Sequence, residues 1–213
     1  MNTVASITAI VAVASFSWGV LRFFRKPSGL TLVAGAVAAL GVVFSLWHVR
    51  DVAVASTESW WLAAGMCGHL AATLMFWSSV HACRTRPLTA IFETDAPKAV
   101  VRRGIYRHLR HPFYAAYTLF WLSGWVASGS LGTLVSVLVM VPIYVAAARC
   151  EERKFARSAC AAEYEAYRRD VGVVLPRWRR GAKWTEQSRQ EDIAAFRSLH
   201  SEAKSPAANG AAM

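Results

Sequence analysis

Charge is scarce in this sequence, and acidic charge scarcer still: 17% of the 213 residues are charged, 13 acidic against 24 basic. Hydrophobic residues reach 55%. A water-soluble domain carries about 25% charged residues, so this balance excludes an ordinary one. The deficit is local. Residues 3–21, 27–47 and 112–148 contain no charge, and 59–80 is interrupted only by His69. Cysteine is rare too. Cys67, Cys83, Cys150 and Cys160 form no C-x-x-C pair, which excludes a zinc knuckle or a dithiol redox motif. Cys67 reads as a small core residue and the other three as thiols on the reducing side. The histidines lack H-x-x-x-H or H-x-E spacing, so no metal is expected. No basic, aromatic-interleaved surface stands apart from the apolar runs, so no nucleic-acid partner is expected despite the net charge of +11. There is no internal repeat.

What is present are runs of membrane length. A helix needs about 20 residues to cross a hydrocarbon core. The expected fold is an all-α integral membrane protein with about five transmembrane helices and a C-terminal amphipathic cytoplasmic helix. The spans are placed near 3–21, 28–48, 59–80, 112–128 and 131–148, the cytoplasmic helix over 151–170, and a mobile cytoplasmic tail over 181–213. Residues 1–180 form one membrane domain. The uncharged stretch 112–148 is divided because Ser128-Gly129-Ser130 and Gly132 mark a turn. Pro142 is expected to kink the last span. The first run is followed, not preceded, by its positive charges, Arg22, Arg25 and Lys26, so it reads as a retained helix rather than a cleaved signal peptide. Of 24 Lys and Arg residues, 23 fall in alternate loops and only Arg50 on the other side. By the positive-inside rule the N-terminus lies outside and the C-terminus in the cytoplasm, in a cell inner membrane. Phe155, Ala159, Tyr164, Tyr167 and Val171 give the cytoplasmic helix its apolar face.

Two polar clusters lie on the cytoplasmic side. One runs from Gly104 to Tyr114 and contains Tyr106, Arg110, His111, Pro112 and Phe113; the other is Glu151-Glu152-Arg153. Pro112 suits a first helical turn, whose unpaired N–H groups and positive dipole end favour an anion. The helix before Glu151 and Glu152 presents the opposite dipole end. A hairpin brings both ends to one membrane surface, and such a pocket complements a ligand bearing a carboxylate and cationic groups. His69 lies mid-span, where a hydrogen-bonded histidine between helices is expected, while His48, His81 and His108 are placed at interfaces.

The run Gly104 to Tyr114 resembles the motif G-x-Y-R-x-x-R-H-P-x-Y of the isoprenylcysteine carboxyl methyltransferase and phospholipid methyltransferase superfamily. Glu151-Glu152, Glu163-Tyr164 through Tyr167, Val171 and Pro176 are similar to its C-terminal pattern. The resemblance spans roughly Lys98 to Pro176. It implies an enzyme that uses S-adenosylmethionine, bound by Lys98, Ala99, Val100, Val101, Tyr106, His111, Pro112, Phe113, Tyr114 and Glu152, with Glu152 at the ammonium or sulfonium end. The implied acceptor is lipophilic and reached from the bilayer: a prenylcysteine-like carboxylate or thiol, or alternatively a phospholipid amine. Two positions depart from the pattern. Ala116 stands where a glycine is frequent, and Ala148 where prenylcysteine carboxyl methyltransferases carry arginine, which leaves adjacent Arg149 as the substrate-contact candidate. The chemistry expected is in-line displacement, in which positioning and water exclusion do most of the work. A carboxylate acceptor needs no base. For a thiol or ammonium, His111, Glu151 and Arg110 are the candidate catalytic residues. An NADPH-dependent membrane reductase of related fold and a non-catalytic membrane protein are the competing readings.

Overall fold

The computed structural model describes residues 1–23, 32–83 and 100–177. The expected tail at 181–213, and Lys98 and Ala99 of the candidate site, lie outside the described residues.

The regular elements of the described chain are all helices. Five long helices are α1 (Asn2–Phe23), α2 (Leu32–Ala53), α3 (Ser59–Cys83), α4 (Pro112–Ser128) and α5 (Leu131–Ala156). A 3-10 turn over Gly104–Arg107 precedes α4, and a short α6 (Ala161–Asp170) follows α5. Among the described residues, three helices are long and apolar enough to cross a membrane: α1, the Gly35–Ala53 part of α2, and α5. Helix α4 has 17 residues, close to the lower limit for spanning. Helix α3 has 25 but carries His69, Ser78, Ser79 and His81.

The distribution of polarity is that of a chain solvated by lipid. Ile7, Trp18, Leu46, Leu74 and Leu138 are exposed, while Ser79, Thr133 and Ser136 are fully buried. Surface apolar area on this scale needs an apolar solvent. The interior is organised around α4, which packs most extensively on α3 and also meets α5. The α3–α4 contact is close because Gly65 and Gly68 lie over Ser123 and Ala127. A Cβ on Gly65 would meet Ala127 Cβ at 2.5 Å, and one on Gly68 would meet Ser123 Oγ at 2.0 Å. Small residues that allow such approach are the usual adhesive between membrane helices. Phe44, Phe120, Trp121, Met140 and Tyr144 fill the space between α2, α4 and α5.

The hairpin turn lies where the sequence placed it. Gly129 closes α4 with φ +61°, a conformation that suits glycine. Ser130 caps α5 by accepting from the Thr133 N–H at 3.1 Å. Its hydroxyl donates to Asp51, which ties the end of α2 to this turn. Pro142 lies within α5, which remains one continuous helix.

Two expectations are corrected. The cytoplasmic helix is not continuous over 151–170: α5 runs on past the span placed at 131–148 to Ala156, because Glu151 to Lys154 leave the apolar zone without breaking helical geometry. The amphipathic helix accordingly begins at Ala161, with Tyr164 and Tyr167 as its buried face and Phe155 stacked on Tyr164 at 4.3 Å. His48, expected at an interface, is fully buried. Its Nε2 lies 3.0 Å from Nε2 of His69, whose Nδ1 lies 3.3 Å from Thr8 Oγ1. The Thr8 hydroxyl donates its proton to Ala5 O, so His69 Nδ1–H is the donor to Thr8. His48 Nε2–H then donates to His69 Nε2. Polar pairing here crosses α1, α2 and α3, and the planar His48 ring stacks on Phe120 of α4 at 4.3 Å.

Candidate active site

The segment between the 3-10 turn and α4 is extended, and it is held by the chain that follows α6. Leu109 and Gly172 form an isolated parallel bridge. The backbone N–H groups of Arg110 and His111 donate to the carbonyls of Gly172 (2.8 Å) and Val173 (3.0 Å). Gly172 is required by the tight turn after it: a Cβ there would lie 1.8 Å from Leu175 O. The Tyr167 hydroxyl donates to Tyr106 O at 2.7 Å and locks the same strip from below. This clamp fixes where the side chains of Arg110 and His111 emerge.

Both side chains are buried and face the end of α5. Arg110 Nη1 lies 3.1 Å from Glu152 Oε1. His111 caps α4 and meets two carboxylates at once, with Nε2 3.2 Å from Glu152 Oε1 and Nδ1 3.5 Å from Glu151 Oε2. The Tyr114 hydroxyl donates to Glu151, and its ring lies between those of His111 (5.6 Å) and Tyr144 (5.8 Å), stacked on both. A neutral imidazole has one N–H and would turn a lone pair toward one carboxylate; the imidazolium satisfies both. Burial opposes that charge, but hydrogen bonds to Glu151 and Glu152 and their negative charge outweigh it, and the His111 pKa is raised above its ordinary value.

The cluster is thus a compact set of two cations and two anions, with Arg110 and His111 buried and the two carboxylates partly open to solvent. Its donors are not all used. Among the described residues, Arg110 Nε is buried without a hydrogen-bond partner, and the Tyr164 hydroxyl is buried beside Glu152. Burial also pushes the Tyr164 phenol up, so it stays a neutral donor. Unpaired buried donors are costly unless a ligand or water completes them.

Of the residues singled out in the sequence, Arg110, His111, Tyr114, Glu151 and Glu152 come together. The Tyr106 hydroxyl lies against the Cys83 thiol with Glu151 nearby. Pro112 is buried at the first turn of α4. Phe113 turns toward α3 and meets the Phe76 ring at 5.4 Å. Val100 packs with Tyr164, Tyr167 and Val171 beneath the clamp, and Val101 is half-buried. Arg149 is exposed, its backbone carbonyl accepting from Arg153 Nε at 3.3 Å.

Sequence reasoning missed Tyr144, Gly172 and Cys83. Tyr144 had a usable signal, since it precedes Glu151 by seven residues, two turns along one helix face. The Gly172 clamp is non-local and had none.

Residues 63–159 match the family model described as phospholipid methyltransferase. The matched segment begins early in α3 and ends just past α5, so it holds both halves of the cluster. No curated protein and no solved structure matches the chain.

Proposed function

We propose, from the premise that this chain belongs to the isoprenylcysteine carboxyl and phospholipid methyltransferase superfamily of membrane methyltransferases, that it moves a methyl group from S-adenosylmethionine to a lipid acceptor. The observation that carries this reading is the meeting of His111 and Arg110, at the start of α4, with Glu152 on α5.

The residues present suit that cofactor. Glu152 and Glu151 are the only carboxylates among the five converging side chains, and they would hold its cationic groups. Arg110 Nε, which has no hydrogen-bond partner, and the Tyr164 hydroxyl beside Glu152 are donors that would serve the cofactor's carboxylate. Tyr106 and Val101 would extend the site toward the nucleoside. The bound cofactor supplies an already activated methyl on a sulfonium. The chain itself orients the reactants through the clamp and excludes water with Tyr114 and Tyr144. The family match favours a phospholipid amine as acceptor over a prenylcysteine-like carboxylate or thiol. Exposed Arg149 and buried Ala148 agree with that preference, because no buried cation stands on this helix turn to receive a substrate carboxylate. The basic loops orient the site toward the cytoplasm, with the N-terminus outside.

Incubation of the purified protein with radiolabelled methyl donor and a membrane lipid extract tests the reading. A labelled lipid supports it. Absence of label in every lipid fraction, from protein that is folded and binds S-adenosylhomocysteine, contradicts it.

A further inference from the structure

The proposed function leaves open how the site handles protons. His111 is the pivot. In the structure its ring lies between Glu151 and Glu152, with both nitrogens within 3.5 Å of a carboxylate oxygen. Arg110 shares Glu152, Tyr114 covers the ring face, and Tyr164 and Arg168 approach Glu152 from α6. The set Arg110, His111, Glu151 and Glu152 is neutral only while His111 carries its proton. S-adenosylmethionine carries an ammonium, a carboxylate and a sulfonium, one net positive charge. A ligand of that charge held by Glu152 competes with the imidazolium for the same carboxylate. With that ligand bound, four cations stand against three carboxylates in a partly buried space, an unfavourable excess, and His111 is the group able to discharge.

We propose that His111 releases its proton to solvent when the methyl donor binds and takes a proton back from the acceptor during transfer. This rests on the methyltransferase reading above and adds to it an acceptor class: one bearing a removable proton, a lipid ammonium or a thiol. For an acceptor R–XH, the new bond forms between X and the methyl carbon. The S–C bond breaks with its electron pair left on sulfur, and the X–H proton passes to the bare ring nitrogen of His111. The products leave behind the imidazolium between its two carboxylates, as it was before binding. The one proton the overall reaction yields is the one released at binding, so the cycle balances. A carboxylate acceptor has no proton to return and would leave His111 discharged.

The test is calorimetric titration of the wild-type protein with S-adenosylmethionine and with S-adenosylhomocysteine at pH 6, in two buffers of different ionisation enthalpy. The expected result is release of close to one proton per donor bound and clearly less for the product, which lacks the sulfonium charge. Donor affinity should also rise with pH, by up to about tenfold per unit below the His111 pKa. In His111→Gln both the proton release and this pH dependence should vanish. Equal heats in the two buffers for the donor, or equal proton release by donor and product, would overturn the proposal while leaving the cofactor assignment intact. Binding of neither ligand would overturn both.

Discussion

Replacing Gly172 by alanine should loosen the Arg110–His111–Glu152 cluster without altering any side chain in it. The new Cβ would lie 1.8 Å from Leu175 O and 3.0 Å from Arg177 N. These are backbone atoms, so no rotamer change relieves the collision and the turn itself must open. Opening it draws the carbonyls of Gly172 and Val173 away from the N–H groups of Arg110 and His111, bonded now at 2.8 and 3.0 Å. Two such bonds contribute about 0.5–1.5 kcal/mol each, or about 1–3 kcal/mol together. Expressed wholly in binding, that weakens S-adenosylhomocysteine roughly 5- to 150-fold. Expressed wholly in stability, it lowers Tm by roughly 2–12 °C. Calorimetric titration and thermal unfolding in one detergent measure both. Gly41→Ala is the control, since its Cβ meets only Met140 Cε at 3.9 Å and should be neutral or slightly stabilising. If Gly172→Ala matched Gly41→Ala in both affinity and Tm, the clamp would have no role in shaping the site.

Other outcomes follow from the same geometry. Tyr114→Phe removes the hydrogen bond to Glu151 and should weaken S-adenosylhomocysteine by about tenfold or less, with the ring stack kept. The raised His111 pKa makes its ion-pair contribution to stability fully present below about pH 6.5 and lost as pH climbs through the elevated value. Tm of the ligand-free protein should therefore fall from pH 6 to pH 9, and His111→Gln should flatten the fall. His69→Ala empties a buried site and leaves His48 Nε2 without its acceptor, so unfolding should show a loss of about 2–4 kcal/mol; an unchanged Tm would mean that the pair does not join α1, α2 and α3. Asp51→Ala frees the Ser130 hydroxyl from α2 and should cost about 1 kcal/mol while leaving ligand affinity unchanged.

The parts of this structure legible in the sequence are those set by local chemistry. Proline at 112 and the Ser-Gly-Ser turn at 128–130 punctuate the chain, and α4 begins and ends with them. The convergence of His111 with Glu152 followed from a short hairpin, whose two outer ends must share one surface. The end of α5 was not legible because Glu and Lys are good helix formers, so a change from apolar to charged residues marks where a helix leaves the membrane and not where it stops. His48 was misplaced by its neighbour Arg50. On a helix, residues two apart point to different sides, so Arg50 can be exposed while His48 is buried. The clamp from Gly172 to Arg110 joins segments about sixty residues apart in the chain, and only tertiary packing reveals it.

The central claim is that the methyl donor sits where α4 begins and α5 leaves the membrane, held by Glu152. Calorimetric titration of S-adenosylhomocysteine into the wild-type protein and into Glu152→Gln, at matched fold and detergent, tests it most directly. The account predicts saturable binding to the wild type and an affinity lower by roughly 10- to 150-fold in the variant, the worth of one charge-assisted contact. Equal affinities in the two proteins would contradict it.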